Sequence, residues 1–257
     1  MDIRFDFGEG SSPTLYENKI ILSWDHEGPS FMVTLDKDTG KELWRTERDE
    51  VTSWATPLVV EHGNGQQVIT SATNRVRSYD LATGKLIWET HGMTVNPIPS
   101  PVAARGIVYV TSGFRGNKLL AIRLEGAEGD ITDSNNIVWS LNRDTPYVPS
   151  PLLYGDAIYF LKSNSGILSA FNAQTGEELY SQQRVEGISN IYSSLVGAGN
   201  RVYITSREGT TVVIERGKKY KVLATNTLDD EFDASMAVVG NEIYLRGKKH
   251  LYRISEN

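Results

Sequence analysis

Apolar and polar residues alternate over short stretches along the whole chain, and each stretch ends in Gly, Asn, Asp or Pro. A period of two with β-branched and aromatic residues predicts strands joined by tight turns. No stretch carries a helical period. Residues 150–180 show the unit most clearly. An apolar strand a (150–154) is followed by the turn Gly155-Asp156, strand b (157–161), a second turn at 163–166, strand c (167–171), and a Thr175-Gly176 turn into strand d. The starts of strand a recur at Pro13, Pro57, Pro101 and Pro151, then as Ser194-Leu195 and Ser235-Met236, at spacings of 44, 44, 50, 44 and 41 residues.

A period of this length built from short strands predicts an all-β fold, a β-propeller of about six four-stranded antiparallel blades forming a single domain over residues 1–257. The sixth unit, residues 235–254, supplies strands a, b and c only. Residues 3–7 precede the first strand a, so an N-terminal strand there is expected to complete the last blade and close the ring, removing exposed sheet edges. The a–b turns Glu17-Asn18, Gly63-Asn64-Gly65, Arg105-Gly106, Gly155-Asp156, Gly199-Asn200 and Gly240-Asn241 mostly carry residue types that tolerate positive φ in hairpins.

The unit ending is the sharpest motif: D-x-x-T-G-K-x-x-W at Asp36–Trp44 and Asp80–Trp88, with a worn copy from Asn172 to Tyr180. The leading Asp or Asn caps the turn and Gly takes a left-handed conformation, which fixes the height of the aromatic that follows. Trp44, Trp88 and Trp139, with Tyr180 and Leu223 as weaker versions, are expected to dock against the neighbouring blade rather than stack on a ligand.

This repeat resembles the tryptophan-docking repeat of the PQQ-like β-propellers, a bacterial family that includes quinoprotein dehydrogenases and the propeller lipoprotein of the outer-membrane protein assembly machinery. The resemblance covers nearly the whole chain. It implies an extracytoplasmic, cell-envelope location, although residues 1–7 are acidic and show no signal peptide. Members of these groups usually have eight blades, which implies that the chain is a piece of a longer protein. For the dehydrogenases the resemblance implies an adjacent-cysteine pair, a calcium held by Glu, Asn and Asp, and a catalytic Asp. The chain has no cysteine and no matching acidic set, so neither PQQ nor another cofactor is expected.

A net charge of −6 argues against a nucleic-acid partner, and no apolar run is long enough to span a bilayer. None of the four histidines has metal-ligand spacing. The insertion at residues 129–136 offers oxygen ligands but lacks a full calcium-loop pattern and reads as a surface loop.

Chemistry is therefore expected on the b–c and d–a connections, which are varied and rich in aromatic and charged residues, while the a–b and c–d turns are uniform. The candidate ligand or partner contacts are Asp25, His26, Trp54, Arg75, Arg115, Tyr147, Tyr192, Arg207 and Asp233. Trp54, Tyr147 and Tyr192 occupy similar offsets before strand a, where they either plug the channel mouth by packing or stack on a ligand. The leading function is a non-catalytic binding scaffold for a protein, peptide or glycan. The alternative is an enzyme, either a PQQ-type oxidoreductase or a hydrolase using Asp25-His26-Glu27.

Overall fold

The computed structural model describes residues 1–63 and 65–255, so Asn64 of the expected 63–65 turn lies outside the described residues. The first sheet holds β1 (Thr14–Tyr16), β2 (Lys19–Trp24), β3 (Ser30–Asp36) and β4 (Glu42–Arg48). The second holds β5 (Leu58–His62), β6 (Gly65–Ser71), β7 (Arg75–Asp80) and β8 (Leu86–His91). In the third are β9 (Val102–Ala104), β10 (Ile107–Ser112) and β11 (Lys118–Arg123), followed by a short β12 (Gly129–Asp130) and β13 (Ile137–Leu141). β12 leaves the third sheet and pairs in parallel with β8 as a fifth strand of the second. The insertion at 129–136 is thus partly a stitch between repeats, and Ile131 within it is buried.

The fourth sheet contains β14 (Leu152–Tyr154), β15 (Ala157–Leu161), β16 (Ile167–Asn172) and β17 (Glu178–Arg184). The fifth contains β18 (Val196–Ala198), β19 (Arg201–Thr205), β20 (Thr210–Glu215) and β21 (Val222–Thr227). The sixth has three strands, β22 (Ala237–Val239), β23 (Glu242–Arg246) and β24 (Leu251–Ser255). Apart from β12, strands within a sheet are antiparallel and follow sequence order. The chain divides into two compact units, Met1–Arg143 and Asp144–Asn257, each carrying three of the repeats.

The expected N-terminal strand does not form. Arg4–Asp6 is a short 3-10 turn in which Phe5 and Asp6 take φ of 61° and 54°, a left-handed pair that breaks an extended chain. Its backbone groups bond to the b–c and d–a connections of the first unit instead, as Arg4 N–H donates to Thr52 Oγ1 and Glu27 N–H donates to the Asp2 carbonyl.

The a–b turns behave as their residues predict: both Arg105-Gly106 and Gly199-Asn200 have two successive positive φ values, matching the right-handed twist of the flanking strands. The c–d turns do as well. Asp36 Oδ1 accepts from Thr39 N–H and Thr39 Oγ1, and Asp80 Oδ1 accepts from Thr83 in the same two ways.

Each c–d pair of the first five sheets then shifts register, at one place in four of them and on both sides of Ala170 in the fourth sheet. The residues at the shift are Trp44 opposite Thr34, Trp88 opposite Ser78, Trp139 opposite Ala121, Tyr180 opposite Ala170, and Ala224 opposite Val213. The bulge re-aims the aromatic. Trp44 Nε1 reaches the Leu81 carbonyl at 2.9 Å, and its ring lies so close to Gly84 that a Cβ there would sit 2.5 Å away. Trp88 is fully buried among Val108, Val110 and Ile122. Trp139 is half-buried against Tyr109, and Tyr180 packs edge-on to Tyr220.

The fifth repeat corrects the expectation for Leu223. The register places Ala224 at the docking position, so Leu223 falls on the other face and stays 43% exposed.

The strand starts form a second link. Ser12 N–H donates to Thr56 Oγ1 and Thr56 N–H to Ser100 Oγ in the first unit. Ser150 N–H donates to Ser194 Oγ, and Ser194 N–H to Ser235 Oγ, in the second.

Acidic residues on d–a connections hold the b–c turns. Glu50 accepts from Asn74 N–H and Arg75 N–H, while Asp230 accepts from Lys249 N–H and His250 N–H. Burial works to raise the Asp230 carboxyl, but the N–H groups of Glu231, Lys249 and His250 and the Tyr252 hydroxyl outweigh it and bring it to about 2.

Two outcomes follow. Trp88→Ala lowers the unfolding free energy in urea by about 3–5 kcal/mol, the cost of deleting a large buried aromatic; an unchanged midpoint contradicts its docking. Because the folded pKa of Asp230 lies below the unfolded value of 3.8, its contribution is present above pH ~4 and lost as pH falls through about 2. Asp230→Asn therefore flattens the acid limb of a melting-temperature profile between those values. An acid limb unchanged by the substitution contradicts the clamp.

Candidate functional site

In the first unit, Asp25 directly follows β2 and belongs to the core. Its two oxygens receive Arg48 Nε and Nη2 at 2.8 and 2.9 Å, and Ser53 Oγ adds a bond of 2.7 Å. Arg48 also donates to Thr70 Oγ1 and the Tyr79 hydroxyl, and both members of the ion pair are buried. A carboxylate enclosed this way has no face left for a ligand.

The next two residues go elsewhere. His26 Nδ1 accepts from Gly28 N–H and Asp2 N–H, which leaves the proton on Nε2, and Nε2 donates to the Pro29 carbonyl at 3.0 Å. Glu27 accepts from Thr52 and Arg4. Asp25, His26 and Glu27 therefore serve three separate partners, and no hydrogen bond joins the imidazole to either carboxylate. That geometry does not assemble the acid–base pair a hydrolase needs.

Trp54 and Arg115 are brought together by residues 5–8, whose alternation predicts a strand. Trp54 Nε1 donates to the Gly8 carbonyl at 2.7 Å, and the Phe7 ring lies 6.3 Å from the indole. The Arg115 guanidinium lies 5.7 Å from the Phe5 ring centre and 5.2 Å from that of Phe114. Arg75 stands apart from this group, paired at 3.5 Å with Asp130 of β12.

In the second unit four of the named residues converge. Arg207 lies 4.3 Å over the Tyr192 ring and contacts both carboxylate oxygens of Asp233 at 2.5 and 3.3 Å. Tyr147 is half-buried; burial raises its hydroxyl pKa, and the Tyr192 hydroxyl adds to the effect. The backbone holds the group in place: Arg207 N–H donates to the Asn190 carbonyl and Phe232 N–H to the Arg207 carbonyl. Lys248 and Glu231 form an ion pair on the adjoining turn. Tyr192 is 39% exposed, so a stacked, charged and water-accessible surface results.

Sequence reasoning missed Asp230, Phe5, Phe7 and Thr52. The alternation Phe5-Asp6-Phe7 reads as a strand, and only the left-handed backbone reveals it as a strap. The recurrence of an acidic residue just after strand d, at Glu50 and Asp230, is the signal that could have found the clamps.

The residues present do not fit a quinone–calcium centre. The chain has no cysteine, and among the described residues no group of three or more His, Cys, Asp and Glu side chains is gathered to hold a metal. No helix among the described residues is long and apolar enough to cross a membrane.

Comparison with known proteins fits this architecture. Outer membrane protein assembly factor BamB from Francisella salina is 29% identical over 100 residues, which is 39% of this chain and 18% of that protein. Its namesake from Francisella tularensis is 26% identical over 100 residues, 20% of its length. The matched stretch thus spans no more than a fifth of these relatives. Among solved structures, the computationally designed Ika8 protein aligns with a TM-score of 0.71 at 16% identity, covering 96% of this chain and 70% of its own. BamB from Moraxella catarrhalis aligns at 0.50 and 15%, covering 96% and 83%. Quinohemoprotein alcohol dehydrogenase from Comamonas testosteroni aligns at 0.60 and 14%, covering 86% and 43%. At these identities the structural likenesses concern the fold alone. The family model described as outer membrane protein assembly factor BamB matches residues 30–257, and the chain belongs to that family of PQQ-like repeat β-propellers.

Proposed function

We propose that this protein is a non-catalytic scaffold in the cell envelope that holds a protein partner during outer-membrane protein assembly. The observation that carries the reading is the Tyr147–Tyr192–Arg207–Asp233 group in the second unit. Tyr and Arg dominate the energetics of protein interfaces, because they offer large rigid contact area and directional donors at low entropic cost. Here Arg207 is pre-oriented by Tyr192 on one side and Asp233 on the other, so binding freezes little additional motion.

The mixed charge of the group suits a protein edge better than a polyanion. Family membership and the names of the Francisella relatives support outer-membrane assembly as the setting. Of the residues named from sequence, Tyr147, Tyr192, Arg207 and Asp233 are the proposed partner contacts in the second unit, and His26, Trp54, Arg75 and Arg115 in the first. Asp25 is assigned to the core. The uniform Thr39-Gly40 and Thr83-Gly84 turns, whose side chains are spent on their own caps, are not proposed as contacts.

A photo-crosslinking residue placed at Tyr192 in cells of the source bacterium is expected to capture an outer-membrane assembly protein, and the same residue at Thr83 to capture none. In the isolated complex, Tyr192→Ala or Arg207→Ala should weaken binding by about 2 kcal/mol, the size of an interface hot spot. Crosslinks from Thr83 alone, or none from Tyr192, overturn the reading.

A further inference from the structure

The first unit carries a surface that is already occupied, and its occupant describes what it binds. Residues 2–10 lie across the b–c and d–a connections and are anchored through main-chain groups along their length. Asp2 N–H meets His26 Nδ1, Arg4 N–H meets Thr52 Oγ1, and the Gly8 carbonyl receives Trp54 Nε1. Between these anchors sit two aromatic side chains separated by one residue. Phe5 lies against the Arg115 guanidinium and Phe7 against the Trp54 indole. Gly10 closes on the indole so tightly that a Cβ there would fall 2.7 Å from Trp54 Cδ1. With the strap in place Trp54 is only 7% exposed.

The fit of the strap is nevertheless poor. Phe5 and Phe7 remain 51% and 61% exposed, an unusual state for two adjacent large aromatics on one short segment. Phe5 and Asp6 are both left-handed, a conformation costly for side chains with a Cβ and most costly for bulky ones. The connection that accepts the Trp54 N–H through the Pro97 carbonyl contains Asn96, which is buried, also left-handed at 57°, and has neither amide atom hydrogen-bonded. A segment that is strained and half-seated, on a site whose supporting connection holds an unsatisfied buried amide, is a weak competitor for its own site.

We propose that Trp54, Arg115, Phe114 and Thr52 form a binding site for a peptide segment of a partner protein with an aromatic–any–aromatic sequence, and that Phe5–Gly8 is a resident mimic which the partner displaces. The inference rests on the scaffold reading above and adds the partner's chemistry. Thr52 and the Trp54 indole N–H capture peptide main chain, which gives register without sequence preference. The Arg115 face and the Trp54 ring take the two aromatic side chains, which gives specificity. The strap holds the site closed, so apparent affinity falls by the fraction of time it is seated.

The test uses the full chain and a fluorescein-labelled synthetic peptide, Ile-Arg-Phe-Asp-Phe-Gly-Glu-Gly. Two strap variants are compared with the unsubstituted protein: Phe5→Ser with Phe7→Ser, and Gly10→Ala, which disturbs the strap while keeping its aromatics. Each is first shown to fold by its β-sheet circular dichroism and cooperative melt. Saturable binding about ten-fold or more tighter to either folded strap variant than to the unsubstituted chain is expected, with loss on adding Trp54→Ala and with a peptide carrying Ser for both Phe. Acrylamide quenching of the Trp54 component should rise in the strap variants, since the indole is then uncovered. No saturable binding to a folded strap variant, or binding indifferent to Trp54→Ala, overturns the proposal. Cross-linking through Tyr192 without peptide binding at Trp54 overturns this inference alone; peptide binding at Trp54 without cross-linking through Tyr192 overturns the scaffold reading alone.

Discussion

Strands of two to seven residues make sheets too small to bury their own faces, so each repeat must find its core in the next one. The docking of the strand-d aromatic does this. Trp44 bonds to the Leu81 carbonyl and covers Gly84, and it joins Ile21 and Met32 of its own sheet to Val68, Tyr79 and Leu81 of the next in one apolar cluster. The capped turn at Asp36–Gly40 and the register shift between Thr34 and Leu35 aim the indole at that contact. The serine and threonine links between strand starts do the same work at the opposite end of the strand. Where the aromatic is missing, as at Ala224, strand β21 is exposed along its whole length.

The loops that carry the proposed function are held by this frame and then fixed by buried charge. Glu50 and Asp230 each leave one repeat and cap the b–c turn of the following one, so the backbone of Arg75 and of His250 is set by its neighbour's acid. The Asp25–Arg48 pair tethers the end of β2 to the end of β4 and, through the Tyr79 hydroxyl, to the second sheet. With these groups spent on structure, Tyr192, Arg207 and Arg115 keep water-accessible surface on the same connections and are the proposed partner contacts. Rigid support beneath adaptable contacts is the arrangement expected of a pre-organised interface.

Much of the frame was legible in the sequence because it is written locally. The D-x-x-T-G cap, the left-handed Gly and the two-residue hairpins are decided within a few residues, and the four-strand repeat follows from them. Features that depend on tertiary partners were misread. Spacing alone puts Leu223 one residue from the docking position, because a bulge shifts the register and the shift cannot be counted from sequence. Phe5-Asp6-Phe7 has a strand's alternation but folds as a strap. Asp25 sits next to His26 and Glu27 in the chain, yet strand geometry sends the three side chains to different places. Tyr192, Arg207 and Asp233 read from sequence as three separate loop residues, and nothing in the sequence shows that one guanidinium bridges the other two.

The division between residues that hold the frame and residues that face a partner is most directly tested by comparing Asp25→Ala with Tyr192→Ala in equilibrium urea unfolding. Removing Asp25 strands the buried Arg48 charge and is expected to cost about 3–5 kcal/mol, with no direct loss of partner contact. Tyr192→Ala, on an exposed face, is expected to leave stability within about 0.5 kcal/mol. The reverse order, a neutral Asp25 variant and a strongly destabilised Tyr192 variant, would contradict the account.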